Sequence, residues 1–303
     1  MPPTPPPEDG GRTPVAYLGP EGTFSEEALL AGAAPGAVRA VPEGSIFEAV
    51  RALGEGRAEW AIVPIENSLD GSLSVTLDLL ADEAEELCIV GEELLLVRHS
   101  LIGAGAVALA EIDTVLTHPQ VPGQCLRFLR RELPRARVMP AASTAEAVRS
   151  IVAQGDRRQA AIGTALAAHI YGGTILREGI EDREDNETRF VWLGRRGSGQ
   201  RPPLSEREEG PWKTSLVFWG AGAGSPGWLV RCLNEFADRG INLTRIESRP
   251  RRERLGSYMF FADLVGCAEQ EPVASALAGV AAICAEVRVL GSYRGAGPAT
   301  LRP

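Results

Sequence analysis

From Thr13 onward, short apolar runs alternate with stretches of helical spacing. Val15-Ala16-Tyr17-Leu18 is stopped by Gly19-Pro20, and helical periodicity begins at about Ser25. Trp60 to Ile65, Thr114 to Leu116 and Ala160 to Ile162 are further runs, with helical segments such as Ile46–Leu53 and Ala145–Ala153 between them. Strand alternating with helix predicts an α/β region whose strands are mostly parallel and buried. The region closes on Arg189-Phe190-Val191-Trp192-Leu193.

The stretch Gly194 to Gly210 is Gly, Pro, Ser and charge without apolar periodicity, and marks a domain boundary. A different order follows: strand Thr214–Trp219, helix Pro226–Arg239, strands Ile241–Ser248 and Ser257–Val265, helix Val273–Ala285, strand Val287–Tyr293. This βαββαβ order predicts a ferredoxin-like domain. Ser225 suits the cap of its first helix, Pro226 the first helical position and Gly240 the C-terminal end. The expected division is a tail over 1–12, an α/β region over 13–195, a linker over 196–210, a second domain over 211–295 and a tail over 296–303.

Charge removes several classes of function. The 303 residues carry 31 basic and 40 acidic side chains, a net of −9. With no surplus of cations to meet phosphates, general affinity for nucleic acid or an anionic membrane is not expected. Lys213 is the only lysine, so Schiff-base chemistry has a single candidate beside the linker and is discounted. The five cysteines form no CxxC pair, and His99, His118 and His169 lie far apart, so no disulfide framework or metal site is expected. No apolar run reaches the ~18 residues of a membrane span. Five prolines in the first seven residues read as a disordered tail rather than a secretory signal. The expectation is a soluble, cytoplasmic protein.

Candidate chemistry lies where strands run into polar loops. In Gly19-Pro20-Glu21-Gly22-Thr23-Phe24-Ser25-Glu26, Thr23 and Glu26 have capping-box spacing. The Thr23 and Ser25 hydroxyls with free helix N–H groups also suit an anionic ligand. The loop is neither GxGxxG nor a P-loop, which disfavours dinucleotide or ATP. Pro64-Ile65-Glu66-Asn67-Ser68 carries three polar side chains to the end of a strand, where α/β proteins hold ligands, though Asn and Ser also serve turns. His118-Pro119-Gln120 and Gln124-Cys125 follow another strand, and Cys125 reads as a packed thiol rather than a nucleophile. Ser143-Thr144-Ala145-Glu146 reads as a helix cap whose hydroxyls can also face a cleft. Glu181 to Glu187 is a solvated acidic run leading to Thr188-Arg189-Phe190, in which alternation sends Thr188 and Phe190 to one side and Arg189 to the other.

Together these segments resemble prephenate dehydratase: GPEGTFSEEA, VPIENSLDG, HPQ followed by Gln124, STAEA, AAIGTALAA with YG, and NETRF stand in that family's order. INLTRIESRP and GSYMFFADLVG resemble the ACT regulatory domain fused to it. The resemblance covers Thr13 to about Tyr293. It implies two catalytic lobes like those of type II periplasmic binding proteins, with the active site in the cleft. It also implies cofactor-free conversion of prephenate to phenylpyruvate, water and CO2.

Within that resemblance Thr188 is the catalytic threonine and Arg189 the natural clamp for a substrate carboxylate, unless alternation puts it outside the cleft. Thr23, Ser25, Glu66, Asn67, Ser68, Gln124, Thr144, Asn186 and Phe190 are expected at the substrate. Gly227-Trp228-Leu229-Val230 and Glu247-Ser248-Arg249-Pro250 fall on the family's L-phenylalanine motifs, with Trp228 in place of a small residue. The implied assembly is a homodimer or homotetramer. Arogenate dehydratase and a non-catalytic small-molecule sensor are the alternative readings.

Overall fold

A computed structural model describes residues 11–82, 86–198, 202–205, 210–220 and 224–296. Most of the Pro-rich tail, parts of the linker and most of the C-terminal tail lie outside them. Lobe 1 opens with β1 (Thr13–Leu18), α1 (Phe24–Gly32), β2 (Val38–Glu43), α2 (Ile46–Gly54), β3 (Trp60–Asn67), β4 (Gly71–Ser72) and α3 (Ser74–Asp82). The chain crosses to lobe 2 through β5 (Leu87–Leu96) and β6 (Ser100–Gly103). There it forms β7 (Thr114–Thr117), α4 (Val121–Gln124), α5 (Leu126–Glu132), β8 (Arg137–Pro140), α6 (Thr144–Gln154), β9 (Gln159–Gly163), α7 (Ala165–Tyr171) and β10 (Thr174–Arg177). It returns to lobe 1 as β11 (Glu187–Arg195).

The sheets run β2-β1-β3-β11-β5 in lobe 1, with β4 beside β3, and β10-β6-β9-β7-β8 in lobe 2. This is the two-lobed α/β arrangement that the resemblance implied. The expectation of mostly parallel strands needs correction: β11 is antiparallel to both β3 and β5, and β6 to both β9 and β10. Both are strands that come from the other lobe, so they enter against the local direction.

The C-terminal domain is β12 (Trp212–Trp219), α8 (Trp228–Ala237), β13 (Leu243–Pro250), β14 (Tyr258–Val265), α9 (Val273–Ile283) and β15 (Glu286–Arg294), with sheet order β13-β14-β12-β15. That is the ferredoxin-like topology, with every strand pair antiparallel. Helix α8 starts two residues later than Pro226. Gly227 takes φ 77°, a left-handed conformation that interrupts the helix, and Ser225 supplies only a carbonyl to the Trp228 N–H. Trp228 turns inward, 3% exposed, between Phe218 and Phe260.

This domain is not held by its linker alone. Val217, Met259, Phe261, Leu290 and Tyr293 share one core with Leu77, Leu80, Leu87, Ile89 and Val191 of lobe 1. The sheet therefore buries one face under its own helices and the other on β5 and α3. Residues 202–205 also return to lobe 1, where Leu204 bridges Ala33. At the joint, a Cβ on Gly291 would lie 2.1 Å from the Ile89 carbonyl oxygen. Gly291→Ala is therefore expected to cost about 1–3 kcal/mol through overpacking, read as a Tm several degrees lower. An unchanged Tm would show that the joint is loose. Among the described residues no helix is long and apolar enough to cross a membrane.

Candidate active site

A cleft of about 1180 Å³ separates the lobes. Its floor comes from the ends of β3 and β11, which run antiparallel with Thr188 opposite Asn67 and Arg189 opposite Glu66. Alternation then sends the first pair into the cleft and the second to the opposite face.

Asn67 organises the floor. Its Nδ2 donates to Thr188 Oγ1 (2.9 Å), Asn186 Oδ1 (2.9 Å) and the Glu187 carbonyl (3.1 Å). Its Oδ1 accepts from the N–H groups of Leu69 and Asp70, both at 2.9 Å, closing the turn beyond the strand. Because Thr188 Oγ1 is an acceptor here, its own proton is free to point at a ligand.

The walls are two capped helix starts. Thr23 caps α1 by accepting from the Glu26 N–H, and Ser143 caps α6 by accepting from the Glu146 N–H. Both sequence readings of these segments thus hold together: each residue caps a helix, and Thr23, Ser25, Ser143 and Thr144 also line the cleft. First-turn amides at two helix ends favour an anion. From lobe 2, Gln124 Oε1 lies 2.9 Å from His99 Nε2 and 3.4 Å from Asn186 Nδ2, and Gln124 Nε2 donates to Asp70 across the cleft (3.2 Å).

Burial pushes the His99 imidazole pKa down, so the ring is neutral and donates its Nε2 proton to Gln124. His99 and Asp70 are site residues that the sequence reading missed. Along the sequence His99 is weighed only as a metal ligand, whereas its position on the crossing between lobes is the available signal.

Of the expected substrate residues, Thr23, Ser25, Asn67, Gln124, Thr144, Asn186 and Phe190 line the cleft with Thr188. Three expectations need correction. Ser68 lies outside the lining, and its Oγ accepts from the Glu187 N–H. Glu66 projects from the opposite face, beside Arg189 and Arg245. Arg189 cannot clamp a substrate carboxylate. Its guanidinium is turned from the cleft and donates to Glu92 (2.8 Å), Asp263 (2.5 Å) and Tyr293 (2.8 Å). Cys125 is buried in the lobe 2 core, where burial pushes its thiol pKa up.

The lobes touch beside the cleft. Thr164 Oγ1 donates to the Gly22 carbonyl (2.6 Å) and Tyr171 Oη to that of Glu21 (2.8 Å). Glu27 is held in the same contact. Burial raises its carboxyl to about 7, only partly opposed by a hydrogen bond from the Leu166 N–H. The folded pKa lies above the unfolded value of 4.5. Its ionisation therefore costs nothing below pH 4.5, costs progressively more as pH rises toward 7, and costs most above that. Glu27→Gln is expected to stabilise the chain by about 1–3 kcal/mol at pH 8 and hardly at all at pH 4.5. Urea denaturation at both pH values measures this, and an equal gain at both would refute it.

The two expected effector stretches do not meet within one chain. Gly227 to Val230 line a hollow of about 210 Å³ with Ser225, Gly256, Tyr258 and Phe260. Glu247 and Arg249 instead face the catalytic lobe: Glu247 accepts from Ser72 Oγ (2.9 Å), and Arg249 grips Asp78 through both nitrogens. Ser248 and Pro250 alternate outward and are exposed.

Comparison with known proteins gives this arrangement its context. The prephenate dehydratase profile matches residues 15–198 and the ACT domain profile residues 223–282. The chain belongs to the prephenate dehydratase family. The prephenate dehydratase of Mycolicibacterium vanbaalenii is 42% identical over 292 residues, 92% of this chain and 90% of its own. Among solved structures, a prephenate dehydratase from Arthrobacter aurescens in complex with L-Phe is 37% identical. It superimposes with a TM-score of 0.81 over 92% of this chain and 89% of its own. GqqA, described as a novel type of quorum quenching acylase, is 30% identical with a TM-score of 0.79, over 93% of this chain and 98% of its own. In prephenate dehydratase terms, the C-terminal unit is the ACT domain.

Proposed function

We propose that the chain converts prephenate to phenylpyruvate, CO2 and water in the cytoplasm without a cofactor, with Thr188 at the reacting centre. The observation that carries this reading is the Thr188 hydroxyl at the cleft floor, oriented by Asn67 with its proton free. In the reaction, the bond between the ring and its carboxylate breaks and releases CO2. Its electron pair enters the ring as the hydroxyl leaves from the opposite carbon, and the ring becomes aromatic. That gain drives the step, so the protein need only orient the dianion and assist the departing oxygen. Thr188 donates a hydrogen bond to that oxygen, which departs with the C–O electron pair and takes one proton from solvent to become water, and the first turns of α1 and α6, with Gln124, bind the carboxylates.

L-phenylalanine acts as effector at the ACT domain of a homodimer, the minimum assembly. Val230 (58% exposed), Ile246 (47%) and Tyr258 (42%) support a second copy there, since they leave apolar surface beside the hollow. The test is product formation from prephenate, and separately from arogenate, with and without L-phenylalanine. Phenylpyruvate from prephenate, suppressed by L-phenylalanine, is the expected result. Turnover only of arogenate would change the substrate, and turnover of neither by folded protein would leave a sensor.

A further inference from the structure

Arg189 stands next to Thr188 in β11, yet its guanidinium points away from the cleft and bonds Glu92, Asp263 and Tyr293. Its side chain is 9% exposed, and those of Glu92 and Asp263 are 1% and 3% exposed. Around it, Asp263 Oδ1 accepts from Ser215 Oγ (2.6 Å), and Ser215 and Tyr293 share a hydrogen bond of 2.8 Å. Lys213 Nζ donates to Glu92 (2.7 Å), and Arg245 lies 3.7 Å from both Asp263 and Glu66. Three cations (Arg189, Lys213, Arg245) thus face three carboxylates (Glu66, Glu92, Asp263). Although burial opposes it, Arg189 and Arg245 hold the Asp263 carboxyl below the usual range, so the cluster is charged.

Every strand of the ACT sheet contributes to this cluster: Lys213 and Ser215 from β12, Arg245 from β13, Asp263 from β14 and Tyr293 from β15. The catalytic side contributes Glu66 and Arg189, which occupy neighbouring positions on β3 and β11, and Glu92 on β5. A buried ion cluster with so many directional bonds has few arrangements of low energy. A tilt of the ACT sheet must therefore either break it or drag Arg189. Any displacement that reaches the Arg189 backbone is shared by Thr188, because the peptide unit joining them also sets the Thr188–Asn67 pairing.

We propose that Arg189 is a positioning residue through which the ACT domain sets the geometry of Thr188. A second grip acts in the same direction. Arg245 donates to Ser72 Oγ (2.9 Å), which donates in turn to Glu247, and Ser72 lines the cleft. The inference rests on the dehydratase reading and on L-phenylalanine as effector.

The test uses the full chain carrying Tyr293→Phe, Asp263→Asn or Arg189→Lys. Steady-state kinetics on prephenate are measured with and without L-phenylalanine, and effector binding is followed separately by the Tm rise it causes. Tyr293→Phe removes one hydroxyl from a packed ring and keeps the experiment decisive if the charge variants do not fold. The expected result is kcat lowered about 3–10-fold at nearly constant KM, the factor of inhibition reduced at least threefold, and the Tm rise retained. Folded variants that bind L-phenylalanine with unaltered kcat and unaltered inhibition would overturn the coupling alone. The unaltered chain tells the other failures apart: no turnover removes the dehydratase reading, and turnover indifferent to L-phenylalanine removes the effector, in each case with this inference.

Discussion

Thr188→Ala is expected to lower kcat for prephenate by about 10²–10⁴-fold with KM changed far less. The size follows from what the hydroxyl does. Thr188 is 9% exposed and its Oγ1 already accepts from Asn67, so its single proton is available to the departing oxygen of the substrate. A hydrogen bond that strengthens as charge builds on that oxygen acts on the transition state and little on binding. Alanine keeps the strand pairing intact, so the Tm should move little. Thr188→Ser restores the hydroxyl and should recover most of the rate. Turnover by the alanine variant within a fewfold of the unaltered chain would take Thr188 out of the chemistry.

Asn67→Asp should lower kcat by about 10²–10³-fold while the fold survives. The substitution is nearly isosteric and divides the residue's two duties. One carboxylate oxygen still accepts from the Leu69 and Asp70 N–H groups, so the turn beyond β3 is retained. The other now faces three acceptors that Nδ2 had served: Thr188 Oγ1, Asn186 Oδ1 and the Glu187 carbonyl. Leaving buried groups unpaired costs about 1–3 kcal/mol each, and each 1.4 kcal/mol lost from the transition state is about tenfold in rate. Thr188 would also rotate its own proton toward the new carboxylate, away from substrate. Kinetics with a denaturation curve on the same protein separate the two duties: a folded chain with a lowered Tm is expected, whose kcat well below that Tm is still lost. A kcat regained well below that Tm would mean that the amide serves only the fold.

Much of this was legible along the chain. A strand ending in IEN and another opening on TRF, helices opened by Thr23 and Ser143, and the βαββαβ order all follow from local periodicity and capping, which need no knowledge of the rest of the molecule. Thr188 and Arg189 mark where that ends. Alternation places them on opposite faces of a strand but does not say which face is the cleft, because that depends on what covers the other. The carboxylates that meet Arg189 stand 97 and 74 residues away in the chain, in β5 and β14. β5 is hidden along the chain because Glu92 and Glu93 interrupt its apolar run, and both are buried. Trp228, within the effector motif, both borders the hollow and packs in the core of the ACT domain, because Gly227 turns the chain just before it.

The shared core of Val217, Met259, Phe261, Leu290 and Tyr293 with lobe 1 bears on how this enzyme can be re-engineered. A regulatory module on a flexible tether can be deleted or exchanged at the tether. Here, cutting at the linker would strip an apolar face from β5 and α3 and leave Arg189 facing water. A foreign ACT domain spliced in would have to reproduce Asp263, Tyr293 and the close approach at Gly291 before it could report any ligand. The proposed response to L-phenylalanine would thus be removed by point substitutions rather than by truncation.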